Sequence, residues 1–259
     1  MERTFDAVAP IYEKLRPGYC PQLYQMIFDY SGVDAASNVM EIGIGGGQAA
    51  PPFLQTGCRL TAVELGENFS QLCREKFRAY PKFQMITGRF EDAELEEGAY
   101  DLIYAASAFH WIPEEVGYSK VFSLLRPGGS FARFANHPFR GKGNPALCEE
   151  MDRIYERYYY RYYQKPPKKP VEYTEEEAKR RAAIAERYGF RDIRHALFHR
   201  TRVLSAAEYR MLLGTYSDHI AIEEKIREEF FASVEKAVER RGGAIVIDDV
   251  MDLQLARKP

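Results

Sequence analysis

The apolar run Val39-Met40-Glu41-Ile42 passes directly into Gly43-Ile44-Gly45-Gly46-Gly47-Gln48, and no other stretch of the chain restricts its fold as much. An apolar strand that stops at glycines 43, 45 and 47 predicts a sharp turn from a buried strand into the start of a helix. Glycine permits positive φ in such a turn and lets a ligand approach the backbone where a Cβ would otherwise stand. The amides at the helix start favour anionic or carboxylate-bearing groups. Taken alone, the run is also compatible with a structural bend. A dinucleotide loop uses the same physics with the spacing GxGxxG. Counted from Gly43, that pattern puts Gln48 where the third glycine belongs, which weighs against a nicotinamide cofactor.

Further strand patterns follow at Arg59–Glu64, Phe83–Thr87, Tyr100–Ala105 and Ser130–Ala135, the first strand being placed at Val39–Ile44. Helical patterns lie between them near Gln48–Gln55, Glu67–Ala79 and Pro113–Leu125, with Pro51 and Pro52 tolerable only in a first helical turn. Pro127-Gly128-Gly129 predicts the turn into the fifth strand. This alternation points to an α/β fold with a parallel sheet covered on both faces.

After His137 the pattern changes. Pro138–Asn144 reads as a loop, Pro145–Gln164 as a helix dense in tyrosine and arginine, and Lys165–Pro170 (KPPKKP) as its break. A charged helix, Thr174–Tyr188, opens with Thr174 three residues before Glu177, a capping box. Strand–helix–strand patterns return at Ile193–Leu204, Ala206–Leu213, Ile220–Arg240 and Ala244–Leu255.

Charge and cysteine usage narrow the function classes. The 259 residues carry a net charge of -2, which makes no general case for a nucleic-acid or membrane surface. That balance conceals an acidic first half and a slightly basic second half. Residues 1–135 hold 12 basic and 17 acidic side chains, and residues 136–259 hold 24 and 21. Cys20, Cys58, Cys73 and Cys148 show no metal-ligand or disulfide spacing, so no metal is expected. No stretch approaches the roughly 20 apolar residues of a membrane helix, and the start lacks a secretory apolar core. A soluble cytoplasmic protein, monomer or homodimer, is expected.

The second strand ends in Glu64, about twenty residues beyond the loop, where an acid can accept both hydroxyls of a ribose; a solvated strand-end carboxylate is the alternative. With these two features in place, the sequence resembles a class I S-adenosylmethionine-dependent methyltransferase of the small-molecule type. EIGIGGG matches the first motif of that family and AVE, ending in Glu64, the second. TGRFEDAEL, YDLIYAASAFHWI and LLRPGG match the segments that follow in order, so the resemblance covers roughly residues 5–136. The AFHW stretch and the terminal TYSDHIAI and GGAIVIDDVMDLQLARK are similar to the branch that contains trans-aconitate methyltransferase.

The resemblance implies a doubly wound, mostly parallel seven-stranded sheet of Rossmann-like type, the last strand antiparallel, with an inserted helical cap. The corresponding division is 1–136 for the cofactor half, 137–190 for the cap and 191–259 for the remaining strands and helices. It implies S-adenosyl-L-methionine as cofactor, S-adenosyl-L-homocysteine as product and a small-molecule acceptor at O, N or carboxylate. Gly43, Gly45 and Gly47 would pass under the methionine part, Glu64 would hold the ribose, and Leu65 would pack on the adenine. The family commonly places an acid after Gly88, but this chain has Arg89, which is donor-only. The adenine role therefore shifts to Glu91 or Asp92, with the Phe90 amide toward a ring nitrogen; a plain acidic loop is the alternative.

Ala106 lies among small residues that leave room beside the sulfonium. His110 is a candidate general base, with a packed or substrate-orienting histidine as the alternatives, and Trp111 is a candidate pocket wall. Tyr12-x-x-x-Arg16-Pro17-x-Tyr19 resembles the family's YxxxRPxY stretch, with Arg16 toward the cofactor carboxylate and Tyr12 and Tyr19 closing over it. Six tyrosines crowd residues 155–163, with Arg153, Arg157 and Arg161 at spacing four. Tyr155, Tyr159 and Arg157 are candidate acceptor contacts, against the alternative of an amphipathic helix packing tyrosine bodies under a charged surface. Three other readings stay open: an NAD-type dehydrogenase, a cofactor-binding protein without turnover, and an RNA methyltransferase that uses the Tyr/Arg helix.

Overall fold

Residues 18–259 are described by the computed structural model. In chain order they form α1 (Pro21–Ser31), β1 (Asn38–Ile42), α2 (Ala50–Gln55), β2 (Arg59–Glu64), α3 (Glu67–Lys76), β3 (Phe83–Thr87) and β4 (Tyr100–Ala106). A short 3-10 turn, Phe109–Trp111, leads to α4 (Glu114–Leu124) and β5 (Leu125–Phe139). Then come α5 (Pro145–Tyr155), α6 (Glu175–Ala182), β6 (Arg191–Ser205), α7 (Ala206–Leu213), α8 (Ser217–Ile220), α9 (Glu224–Arg240) and β7 (Ala244–Arg257). The strands form a seven-stranded sheet ordered β3-β2-β1-β4-β5-β7-β6, the expected doubly wound arrangement.

Strands β3, β2, β1, β4 and β5 pair in parallel. β7 runs against its neighbours, as expected. Gly128 donates to the Lys258 carbonyl while Lys258 donates back to Gly129, and on the other side Asp192 meets Arg257 while Thr201 meets Asp248. Alternate residues of the central strands go to opposite faces. Val39, Leu60, Leu102 and Tyr104 join a core with Leu23, Ile27 and Phe53, whereas Met40, Ile42, Ile103 and Phe131 join one with Tyr118, Val121 and Phe190. Burial on both faces explains why these strands read as continuous apolar runs rather than alternating ones.

The described residues divide into two compact units. The glycine-loop unit holds residues 18–136, 174–198 and 251–259, and the tyrosine-helix unit holds 137–173 and 199–250. In the first, several boundaries differ from the sequence reading. β1 ends at Ile42 and α2 starts at Ala50, because the glycine turn occupies the residues between. α3 stops at Lys76, short of Ala79. β5 begins at Leu125 rather than after a turn. Its register with β4 jumps from Tyr100↔Leu125 to Leu102↔Ser130, so Pro127-Gly128-Gly129 forms a bulge inside the strand, with Gly128 at φ +78. Thr174 caps α6 by accepting from the Glu177 amide at 3.2 Å, but the α-helix ends at Ala182 and finishes as a 3-10 turn to Tyr188.

In the tyrosine-helix unit, α5 does not continue as an α-helix to Gln164. It passes at Glu156–Tyr160 into a π-helical turn before KPPKKP breaks it. The reading of one helix over Ile220–Arg240 also yields to two, α8 and α9, with the Glu223 carboxylate capping the second through the Lys225 amide. Leu147, Met151, Leu213, Phe230 and Val234 form the core of this unit. The capping box with both reciprocal bonds is at Ser205 and Glu208, ahead of α7. Ser205→Ala removes it and is expected to cost about 1 kcal/mol, read as a fall in Tm of about 2–4 °C. Among the described residues no helix is long and apolar enough to cross a membrane.

Candidate functional site

The glycine turn adopts the conformation its residues were expected to need. Gly43, Gly45 and Gly47 have φ of +69, +52 and +75, a region that L side chains rarely enter. A Cβ on Gly43 would lie 2.5 Å from the Ala108 Cβ, and one on Gly47 would lie 2.7 Å from the Phe77 ring. Neighbouring elements hold the turn in place. Gly43 donates to the Val63 carbonyl at 2.8 Å. From α3, the Cys73 thiol donates to the Gly45 carbonyl at 3.2 Å and the Lys76 ammonium to the Gly46 carbonyl at 2.9 Å. Neither α3 residue was singled out from sequence.

Glu64 stands at the end of β2 and reaches across to this turn. Its Oε2 accepts from the Gly45 amide at 2.9 Å, and its Oε1 accepts from the Gly66 amide at 2.8 Å. A carboxylate oxygen can accept more than one hydrogen bond, so the pair remains able to receive the hydroxyls of a diol. Leu65, beside it, is only partly buried.

Glu41, the one charged residue within β1, escaped the sequence reading. It is 1% exposed and accepts from the Tyr104 hydroxyl at 2.7 Å, while its Oε1 has no hydrogen-bond partner among the described residues. Burial pushes this carboxyl up to about 8, against the opposing Tyr104 hydrogen bond and with a smaller push from the Glu64 charge. An acid inside an otherwise apolar strand, two residues before a glycine turn, was the signal available.

The segment after β3 carries the second group of expected contacts. Phe90 is buried, with the Lys120 ammonium 5.3 Å from its ring centre, and its amide makes no backbone bond of that turn among the described residues. Lys120 also donates to the Glu91 and Ala93 carbonyls at 3.0 and 2.6 Å, which pins the segment to α4. Arg89 pairs with the Glu91 carboxylate at 2.9 Å and lies 3.9 Å from that of Asp92. The donor-only arginine thus sits between the two acids proposed in its stead.

At the end of β4, Ala106 is followed by Ser107, which holds φ +53 without being glycine. Its amide donates to the Phe134 carbonyl at 2.8 Å, and its hydroxyl meets the Tyr19 hydroxyl at 2.8 Å and the Asn136 amide at 3.4 Å. Tyr19 is therefore placed at the mouth of β4. In the 3-10 turn that follows, Phe109 is buried, His110 is exposed and Trp111 is 37% exposed, with the His110 and Trp111 ring centres 4.9 Å apart. Tyr12 and Arg16 lie outside the described residues.

Tyr155, Tyr159 and Arg157 belong to the other unit. The Tyr155 hydroxyl lies 3.1 Å from His219 Nε2, the Tyr159 hydroxyl donates to Asp218 at 2.7 Å, and Asp218 meets His219 Nδ1 at 2.8 Å. Burial raises both tyrosines well above the usual range, so their hydroxyls stay protonated. Although burial opposes it, the His219 and Tyr159 hydrogen bonds hold Asp218 down at about 2. Arg157 is exposed, its guanidinium 5.2 Å from the Tyr158 ring centre. Among the described residues no cluster of His, Cys, Asp and Glu is placed to hold a metal ion.

Residues 40–132, which contain the glycine turn, Glu64 and the β4 end, match the methyltransferase-domain family. Over 91% of its length the chain is 24% identical to an uncharacterized methyltransferase of Schizosaccharomyces pombe, of which it covers 87%. Among solved structures it is similar to the YcgJ protein of Bacillus subtilis, with a TM-score of 0.57 at 13% identity over 92% of this chain and 98% of that one. It is also similar to a phosphoethanolamine N-methyltransferase of Haemonchus contortus, with a TM-score of 0.56 at 15% identity. This chain is 98% covered in that match but spans only 57% of the nematode protein. The two structural likenesses bear on the fold alone.

Proposed function

We propose that this chain, an S-adenosylmethionine-dependent methyltransferase of class I fold, transfers its methyl group to a small-molecule acceptor through oxygen, nitrogen or a carboxylate. The observation that carries the reading is the Glu64 carboxylate tied to the Gly45 and Gly66 amides beside three positive-φ glycines. The residues fit the donor. The backbone at Gly43 and Gly47 stands where a Cβ would collide with protein, and Glu64 can receive a ribose diol.

S-adenosylmethionine supplies, when bound, an electrophilic methyl on a sulfonium that is its own leaving group. The work left to the chain is alignment and exclusion of water. Gly43, Gly45 and Gly47 admit the methionine portion against bare backbone, and Glu64 fixes the ribose. Leu65, Phe90 and Glu91 or Asp92 bound the adenine, with the Arg89 pairing fixing where the acids stand. Ala106 and its small neighbours leave space at the end of β4, and Tyr19 and Trp111 border it. Tyr12 and Arg16 complete this assignment through the cofactor carboxylate. The likeness of AFHW to the trans-aconitate methyltransferase branch favours an acidic small molecule as acceptor.

A carboxylate acceptor needs no base, whereas a hydroxyl or amine acceptor must lose a proton, and we assign that role to His110. His110→Ala is then expected to lower turnover of such an acceptor by about 10²-fold, with the KM for the donor unchanged. An equal loss with a carboxylate acceptor would remove His110 from proton transfer. The function is tested by incubating the protein with methyl-labelled S-adenosylmethionine and a panel of carboxylic acids, amines and phenols. Label transfer to at least one class supports the reading. Donor binding without transfer to any of them, or transfer to RNA alone, overturns it.

A further inference from the structure

In the tyrosine-helix unit, α5 and its π-helical extension face α9 across a groove of about 310 Å³. Arg153 and Arg157 stand one turn apart on one wall, Lys236 and Arg240 one turn apart on the other, and all four are exposed. Like charges one turn apart on a helix repel each other, and here two such pairs share one space. The single acid lining it, Glu150, is already engaged: it accepts from Arg240 and, at 3.0 Å, from Arg241. Those bonds hold Glu150 below its usual range, so it stays ionised. Arg153, Arg157 and Lys236 form no ion pair among the described residues, although the chain has acids to spare on both helices.

The lining is one-sided in hydrogen bonding as well as in charge. Arginine and lysine only donate. The Ser233 hydroxyl at the groove already donates to the Glu229 carbonyl at 2.7 Å and lies 3.3 Å from that of Tyr158. An occupant must therefore be rich in acceptors and multiply negative. Two guanidinium forks suit phosphoryl oxygens, the Ile154 side chain and Tyr158 ring add a small apolar floor, and the volume is that of a small-molecule site. The π-helical turn lies at this wall and carries both Arg157 and Tyr158; such turns are frequent at functional sites.

We propose that this groove binds a small molecule carrying two or more phosphoryl charges. The proposal does not depend on methyl transfer. The test is calorimetric titration of the full chain with inorganic pyrophosphate at low ionic strength, with citrate and a single-stranded RNA as comparison ligands. The expected result is one saturable pyrophosphate site that weakens as salt is added. In the triple variant Arg153→Gln, Arg157→Gln, Lys236→Gln, affinity falls at least tenfold while Tm stays within a few degrees of the parent. If the triple variant does not fold, Arg157→Gln alone is expected to weaken binding severalfold. The proposal is overturned if the parent shows no saturable site, if the variants bind as the parent does, if citrate binds as tightly as pyrophosphate, or if RNA binds and pyrophosphate does not displace it.

Discussion

Replacing Glu64 with alanine is expected to weaken S-adenosylhomocysteine binding by about 10²–10⁴-fold, the loss of two hydrogen bonds to a charged group at about 1.5–3 kcal/mol each. The geometry makes the effect larger than that of a surface carboxylate. Each oxygen of Glu64 is fixed by a backbone amide, Gly45 on one side and Gly66 on the other, so the acceptor lone pairs are preorganised and little entropy is lost on binding. Glu64→Gln separates the two contributions. Its amide nitrogen would face a backbone N–H, donor against donor, and one acceptor would remain, so its affinity should fall between those of the parent and the alanine variant. Titration calorimetry reads both. An alanine variant that stays folded and binds within threefold of the parent would remove Glu64 from the cofactor site.

The second large effect concerns Glu41 and pH. Burial pushes its carboxyl from 4.5 up to about 8, so at neutral pH the folded chain holds a proton that the unfolded chain has released. Stability from this group is therefore complete below about pH 4.5 and is lost as pH rises through about 8. At about 1.36 kcal/mol per pKa unit the loss is bounded at about 5 kcal/mol. Glu41→Gln keeps the shape without the titration. The difference in unfolding free energy between variant and parent should move in the variant's favour from pH 5 to pH 9, measured by urea denaturation at several pH values. A difference that does not change with pH would contradict the assignment of a neutral buried acid.

The parts legible in the sequence were those written locally. The glycine turn, its three positive-φ residues and the acid at the end of β2 follow from steric rules that act within a few residues, and the structure joins them through the Gly45–Glu64 hydrogen bond. The parallel sheet covered on both faces followed from the alternation of apolar strands with helices, and its doubly wound, seven-stranded form from the resemblance. What sequence could not supply were arrangements made by distant partners. At the Pro127–Gly129 bulge the strand also pairs with Lys258, and a Pro-Gly-Gly run reads as a turn unless that partner is known. The Cys73 and Lys76 clamps come from a helix some thirty residues along, and Arg89, set aside for adenine because it only donates, pairs with Glu91 and lies beside Asp92. In the tyrosine-rich segment, periodicity put arginines on one stripe of an α-helix. The π-helical turn breaks that period, and the cationic groove results from Lys236 and Arg240, which belong to a helix about eighty residues later.

We assign the S-adenosylmethionine site to the glycine turn and Glu64. Calorimetric titration of the unmodified protein with S-adenosylhomocysteine tests this most directly. One saturable site per chain, lost or severely weakened in Glu64→Ala, is the predicted result. A flat titration of protein whose unfolding transition shows it to be folded would contradict it.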